Sequence, residues 1–195
     1  MKKFFMFCCL VLLCSCSHIS MPTSVYIIDV PNEYAEQYRN RLQTGSGPVF
    51  AIMHINIPSY LNRPQIVMRD KGAKIIIEER HRWGENLDKA ISRVLSDALT
   101  NNLTAINGVA VPLKLGMHPD YTIQVDISHF EGNINDYLEL DAFWTLQKGG
   151  MKILQASFYK KLSVEHNYSD FVQAYGELLY LLAQAMSDAI YAHIR

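Results

Sequence analysis

The groups in this 195-residue chain that could carry chemistry are four cysteines, seven histidines and nineteen Asp and Glu residues. The cysteines stand at 8, 9, 14 and 16 and nowhere later, so no thiol falls in the long remainder of the chain. That excludes a cysteine nucleophile, a Cys-ligated zinc and an intramolecular disulfide from a domain built after residue 16. The histidines, at 18, 54, 81, 118, 129, 166 and 193, form no His-Glu-x-x-His and no pair four residues apart on an expected helix. Gly45-Ser46-Gly47-Pro48 lacks the Gly-Lys-Ser/Thr ending that holds phosphate and reads as a turn; no Gly-x-Ser-x-Gly elbow is present. Asn135-Asp136 with Glu139 and Asp141 does not have the spacing of a calcium loop, and Glu139 and Asp141 fall on the outward face of a strand. An enzyme would need polar groups that meet only in space. The expectation is no catalytic residue, no metal and no cofactor.

The clustered cysteines have a different use. Met1-Lys2-Lys3 is followed by an apolar run from Phe4 to Leu13 and then by Cys14-Ser15-Cys16-Ser17. A basic start, an apolar run half the length of a membrane span and a small residue before a cut are the secretory pattern, so residues 1–15 are expected to be a signal peptide. Leu13-Cys14-Ser15-Cys16 resembles the lipobox of bacterial lipoproteins, a branched apolar residue and two small ones before the cysteine that receives diacylglycerol. Cleavage is then expected between Ser15 and Cys16, with Cys16 the lipidation site. Cys8, Cys9 and Cys14 are preceded by Phe7, Cys8 and Leu13, where the lipobox has a small residue. One acyl chain binds reversibly, with a partition constant on the order of 10⁴ M⁻¹, whereas several, palmitate among them, hold a protein at the membrane. Ser17 follows Cys16; Asp there retains enteric lipoproteins at the inner membrane, so the outer membrane is favoured. Loss of Lys2 and Lys3 leaves 16 Lys and Arg against 19 Asp and Glu, a formal charge of −3. No nucleic-acid partner is expected from that balance. About 180 residues remain, enough for a tether over 16–24 and one domain over 25–195.

Periodicity supplies the elements. Val25 to Ile28 is β-prone, the segment 31–44 is charged and weakly periodic, and Val49 to Ile57 alternates as a strand stopped by Pro58. Gln65 to Arg69 and Lys74 to Glu78 form a hairpin around Asp70-Lys71-Gly72. From Trp83 to about Thr104 the period becomes helical, with Leu87, Ile91, Val94, Leu95, Ala98 and Leu99 in one stripe and Asn107-Gly108 as the stop. Three alternating strands follow, over Tyr121–Ile127, Leu138–Leu146 and Leu154–Phe158. A long helix over Tyr168–Ile194, capped by Asn167 or Ser169, completes the chain. The pattern predicts a two-layer α+β domain, mainly antiparallel sheet covered on one face by two helices.

Two segments stand out as contact surfaces. Between Pro58 and Pro64 the chain places Tyr60, Leu61 and Arg63, with Gln65 next; paired prolines stiffen a loop, and Tyr and Arg are favoured anchors in interfaces. The alternative is a loop folded back on its own core. Arg80-His81-Arg82-Trp83 is expected to open the first helix, with Arg80 and Arg82 facing a partner or an anionic head group and Trp83 either joining that contact or packed as a staple.

An ordered set of these residues resembles the ABC-type transport auxiliary lipoprotein family, the PqiC-like proteins. It comprises the lipobox at Cys16, Ile57-Pro58-Ser59-Tyr60-Leu61-Asn62-Arg63-Pro64-Gln65-Ile66-Val67-Met68-Arg69, Arg82-Trp83 with Leu87, and Arg93-Val94-Leu95. Asp120-Tyr121, Phe130-Glu131 and Ala142-Phe143-Trp144-Thr145-Leu146 continue it. Gly84 and Asn86 stand where the family has Ala and Pro, and residues 31–44 match nothing in it. The resemblance implies a non-enzymatic component of an intermembrane lipid transport system, docking an MCE-domain periplasmic protein at the outer membrane, and it implies a homo-oligomer. A lipoprotein assembly factor or pilotin for another envelope complex is the alternative.

Overall fold

The computed structural model describes residues 22–35, 47–70 and 72–194. The expected signal peptide, Ser15, Cys16 and most of the 31–44 segment lie outside the described residues. Eight strands are formed: β1 Ser24–Tyr26, β2 Val49–Ile52, β3 Gln65–Arg69, β4 Ile75–Trp83, β5 Val109–Pro112, β6 Tyr121–Asn133, β7 Tyr137–Lys148 and β8 Met151–Ser163. Two long helices, α1 Leu87–Asn102 and α2 Tyr168–His193, accompany them, with a helical turn at Asn32–Ala35 and a 3-10 turn at Thr104–Ile106. The strands make two sheets, β1-β4-β3 and β5-β2-β6-β7-β8. The α+β class, mainly antiparallel strands with two helices, is therefore as expected, with the strands divided between two sheets.

The meander β6-β7-β8 follows directly from alternation. Ile123, Val125 and Ile127 pair with Leu146, Trp144 and Ala142 on one face, and Leu146 and Ala142 pair in turn with Leu154 and Phe158. Side chains opposite each other on paired strands share a face, so every apolar position meets another. Gly149 and Gly150 take φ of 56° and 80° in the β7–β8 turn, the left-handed region where a Cβ is costly. Both helices pack on each other, α2 against β7 and β8 and α1 against β5. Leu87, Ile91, Val94, Leu95, Ala98 and Leu99 of α1 are all buried, and so are Phe171, Tyr175, Leu178, Leu182 and Met186 of α2. Asn167 caps α2 by accepting from the Asp170 N–H at 2.8 Å, and Asp170 in the first turn complements the helix dipole. Among the described residues no helix is long and apolar enough to cross a membrane.

The structure corrects three local expectations. The first helix begins at Leu87, not Trp83, because Arg80 to Trp83 continue β4 and pair with both neighbours: His81 and Trp83 with Ser24 and Tyr26 of β1, Arg82 with Gln65 of β3. The expected strand over Val49–Ile57 is regular only to Ile52 and does not alternate: Phe50, Ala51 and Ile52 are all buried. β2 lies parallel between β5 and β6, inside its sheet, and strands covered on both faces lose their polar positions. β5 itself, a four-residue edge strand ending in Pro112, was not anticipated.

α2 approaches the chain after β1 so closely that only glycine fits. A Cβ at Gly176 would stand 2.0 Å from the Asp29 carbonyl oxygen. That segment cannot easily retreat, since Arg93 donates to Ile28 O at 2.7 Å and to Asp29 Oδ1 at 3.0 Å while also bonding Glu85 at 2.7 Å. Gly176→Ala should therefore destabilise the fold by about 2 kcal/mol, an overpacking cost that exceeds the helix-propensity gain of up to about 1 kcal/mol. A urea midpoint at or above that of the wild type would contradict this reading.

Candidate functional site

The Pro58–Gln65 segment is built as a chain of tight turns. Leu61 N–H donates to Pro58 O at 2.9 Å, Asn62 N–H to Ser59 O at 3.3 Å and Arg63 N–H to Leu61 O at 2.8 Å. Leu61 is 1% exposed and plugs the core beneath the loop. At its far end Pro64 O accepts from Trp83 N–H at 2.7 Å, and Gln65 Nε2 donates to Glu79 at 3.2 Å, tying the loop to β4.

Tyr60 points to a carboxylate that sequence reasoning listed but did not place. A bulge in β6 between Ile127 and His129 switches the inward set from odd to even positions, so that Phe130 faces the core and Glu131 the opposite side of the sheet. The small sheet roofs that side through β3, and Glu131 ends fully buried. Its Oε1 accepts from Arg69 Nε at 2.8 Å, Arg69 Nη2 at 2.5 Å and Tyr60 OH at 3.0 Å, with His129 Nδ1 at 3.1 Å. Its Oε2 accepts from the Phe130 N–H at 2.8 Å. Burial alone pushes the carboxyl up; the hydrogen bonds from Arg69, His129, Phe130 and Tyr60 outweigh it and hold Glu131 below the ordinary carboxylate value. Burial and the Glu131 charge likewise push the Tyr60 hydroxyl up. A carboxylate with its lone pairs already engaged is a poor general base or nucleophile. It is a clasp joining the loop, the small sheet and β6.

Below the clasp, Tyr175 of α2 is fully buried and donates to Phe130 O at 3.1 Å, while its ring meets Trp83 edge-on at 5.0 Å. His81 stacks on Tyr168 at 3.5 Å, and Tyr26 lies beside both rings with its hydroxyl 3.0 Å from His81 Nδ1. Burial, followed by the nearby Glu78, raises the Tyr168 hydroxyl to about 12.

Of the residues expected to make contacts, Leu61 and Trp83 are in the core and are corrected on that ground: neither presents a surface. Tyr60 is committed to the clasp. Arg63, Pro64, Gln65, Arg80 and Arg82 stay at least partly accessible. Alternation along the end of β4 sends His81 and Trp83 inward and leaves Arg80 and Arg82 outside. Arg82 lies 3.8 Å from Glu79 and also donates to its carbonyl. Arg63 differs: its Nε is buried with no hydrogen-bond partner among the described residues. Among those residues, no three His, Cys, Asp or Glu side chains converge as a metal site would require.

A family model described as the ABC-type transport auxiliary lipoprotein component matches residues 33–187, a span that, contrary to expectation, takes in most of the 31–44 segment. No functionally curated protein matches the sequence. Among solved structures, one described as an uncharacterized protein superposes with a TM-score of 0.71 at 16% identity, over 87% of this chain and 99% of its own. Protein XCC0632 from Xanthomonas campestris superposes with a TM-score of 0.62 at 11% identity, over 88% of this chain and 95% of its own. At such identities these two structures attest the shared fold.

Proposed function

We propose a role from one premise: this chain belongs to the ABC-type transport auxiliary lipoprotein family. It acts as the lipid-anchored, non-enzymatic component of an MCE/ABC-type intermembrane lipid transport system, held by acyl chains on Cys16 at the periplasmic face of the outer membrane. There it docks the periplasmic MCE-domain protein as a homo-oligomer. The observation that supports a docking role for the Pro58–Gln65 loop is its construction. Turn bonds, a buried Leu61 and the Glu131 clasp fix the backbone, while Arg63 is left with a desolvated Nε that has no acceptor among the described residues. A buried donor without an acceptor costs about 1–3 kcal/mol, an energy recovered when the Arg63 side chain turns outward to an acidic or carbonyl group of a partner.

Arg63→Ala removes the orphan donor and none of the clasp, so stability should not fall, and relief of the unsatisfied donor should raise it by about 1 kcal/mol. Co-purification of an MCE-domain protein with the tagged chain should nevertheless be lost or sharply reduced. Undiminished co-purification by a folded Arg63→Ala chain would remove this loop from the docking surface; failure of the wild type to retain any MCE protein would remove the partner itself.

A further inference from the structure

β1 turns Tyr26 inward, toward His81, and leaves Val25 on the other side of the strand. Ile27, one residue beyond the strand, faces out with it; the two are 63% and 60% exposed. They flank Gly84, where a Cβ would come within 3.1 Å of Ile27 Cγ1 and 3.3 Å of Val25 Cγ1, so they form one aliphatic ridge over bare backbone. Arg82 is the cross-strand partner of Val25 and its side chain is 43% exposed. Two branched aliphatic side chains and a cation, the latter 3.8 Å from the exposed Glu79 carboxylate, thus share one exposed patch.

We infer that this ridge is a second contact of the domain with the bilayer, Val25 and Ile27 entering the boundary between head groups and acyl chains and Arg82 meeting a lipid phosphate. The inference rests on the reading of Cys16 as the lipid anchor. Its carrier is chain length. Val25 is nine residues after Cys16, and whatever path the intervening residues take, they span at most about 32 Å. As a flexible coil the same length averages roughly 17 Å. Ser17-His18-Ile19-Ser20-Met21-Pro22-Thr23-Ser24 contains no Asp or Glu that lipid phosphates would repel. Two aliphatic side chains are too few to recruit a free protein, but an anchored domain meets the surface at high effective concentration, which makes a weak insertion sufficient. Arginine suits this edge because its stem covers apolar surface while its head stays with phosphate.

The test uses the matured full-length lipoprotein. Acylation of Cys16 leaves no other thiol, so Ile27→Cys supplies a single labelling position for an environment-sensitive fluorophore. Met151→Cys, at the exposed start of β8, supplies the comparison. In vesicles of phosphatidylethanolamine and phosphatidylglycerol, the label at 27 should shift to the blue and be quenched by lipids carrying a spin label on the acyl chain. The label at 151 should emit as in water. A water-like label at 27 on a chain whose intact mass shows the acylated cysteine overturns the ridge and leaves the anchor standing. Shielding of 27 without lipid quenching also overturns it, since a protein would then cover the ridge. An unacylated chain overturns both readings, and Val25→Cys repeats the measurement should Ile27→Cys fold poorly.

Discussion

Glu131→Ala should destabilise the domain by about 3 kcal/mol, the low end of the range for removing one partner of a buried ion pair. The low end applies because the stranded Arg69 side chain is 21% exposed and can reach water, whereas Glu131 itself is 0% exposed. The loss is not one bond. Tyr60, His129, the Phe130 N–H and both donors of Arg69 lose their common acceptor together, and the joint between the two sheets opens at β3 and β6. Glu131→Gln keeps the volume but aims an amide N–H₂ into a ring of donors and carries no charge for Arg69, so it should fall between the wild type and Ala. Urea unfolding would check both, and a loss below about 1 kcal/mol for Ala would make the clasp incidental.

The same carboxylate predicts the sign of an acid effect. Its value in the fold lies below that of the unfolded chain, so its contribution is complete at neutral pH and is lost as pH falls through the folded value. In that window the unfolded chain holds more protons, and stability drops with pH. The gap between wild type and Glu131→Gln measured at pH 7 should therefore narrow at pH 3. A gap that stayed constant would show that the charge on Glu131 contributes nothing beyond shape.

The second large effect is all or none. On the proposed reading of Cys16 as the lipidation site, Cys16→Ala should leave an unprocessed precursor without acyl label, because it removes the thiol that would accept diacylglycerol and no other cysteine has lipobox-like residues before it. If the signal were still removed by another route, the chain should appear in the soluble periplasmic fraction, since with the acyl chains gone the aliphatic ridge alone cannot hold it. Metabolic labelling with palmitate and membrane fractionation would read both. Normal maturation and membrane retention of Cys16→Ala would overturn the anchor.

The elements that were legible in the sequence are those whose burial is written in local period. Tyr121 to Ile127 and Leu138 to Leu146 alternate because one side of each strand faces the core, and Leu87 to Leu99 and Phe171 to Ile190 repeat helically for the same reason. The end of β4 was misread because Arg80-His81-Arg82-Trp83 is too short for a period of two to declare itself beside a true helix. What makes it a strand is pairing with β1, more than fifty residues earlier. β2 was misread because a parallel strand covered on both faces does not alternate.

The candidate site divides in the same way. Tyr60, Arg69 and Phe130-Glu131 were visible as separate pieces of a family pattern, yet nothing in their spacing says that they meet. Arg69 and Glu131 are 62 residues apart; without the bulge after Ile127 Glu131 would fall on the core side of β6, and without the roof of β3 it would be an outward, solvated residue. By itself the sequence determined the alternating and helical faces, the confinement of every cysteine to the first sixteen residues and the family pattern, because each is a property of composition or of near neighbours. Only the tertiary structure decided that Leu61 and Trp83 are core and that Glu131 is a buried clasp. It likewise decided that the Arg63 Nε has no acceptor among the described residues and that Val25 and Ile27 are left outside. Burial of a side chain depends on what another part of the chain lays over it, and local order carries no record of that.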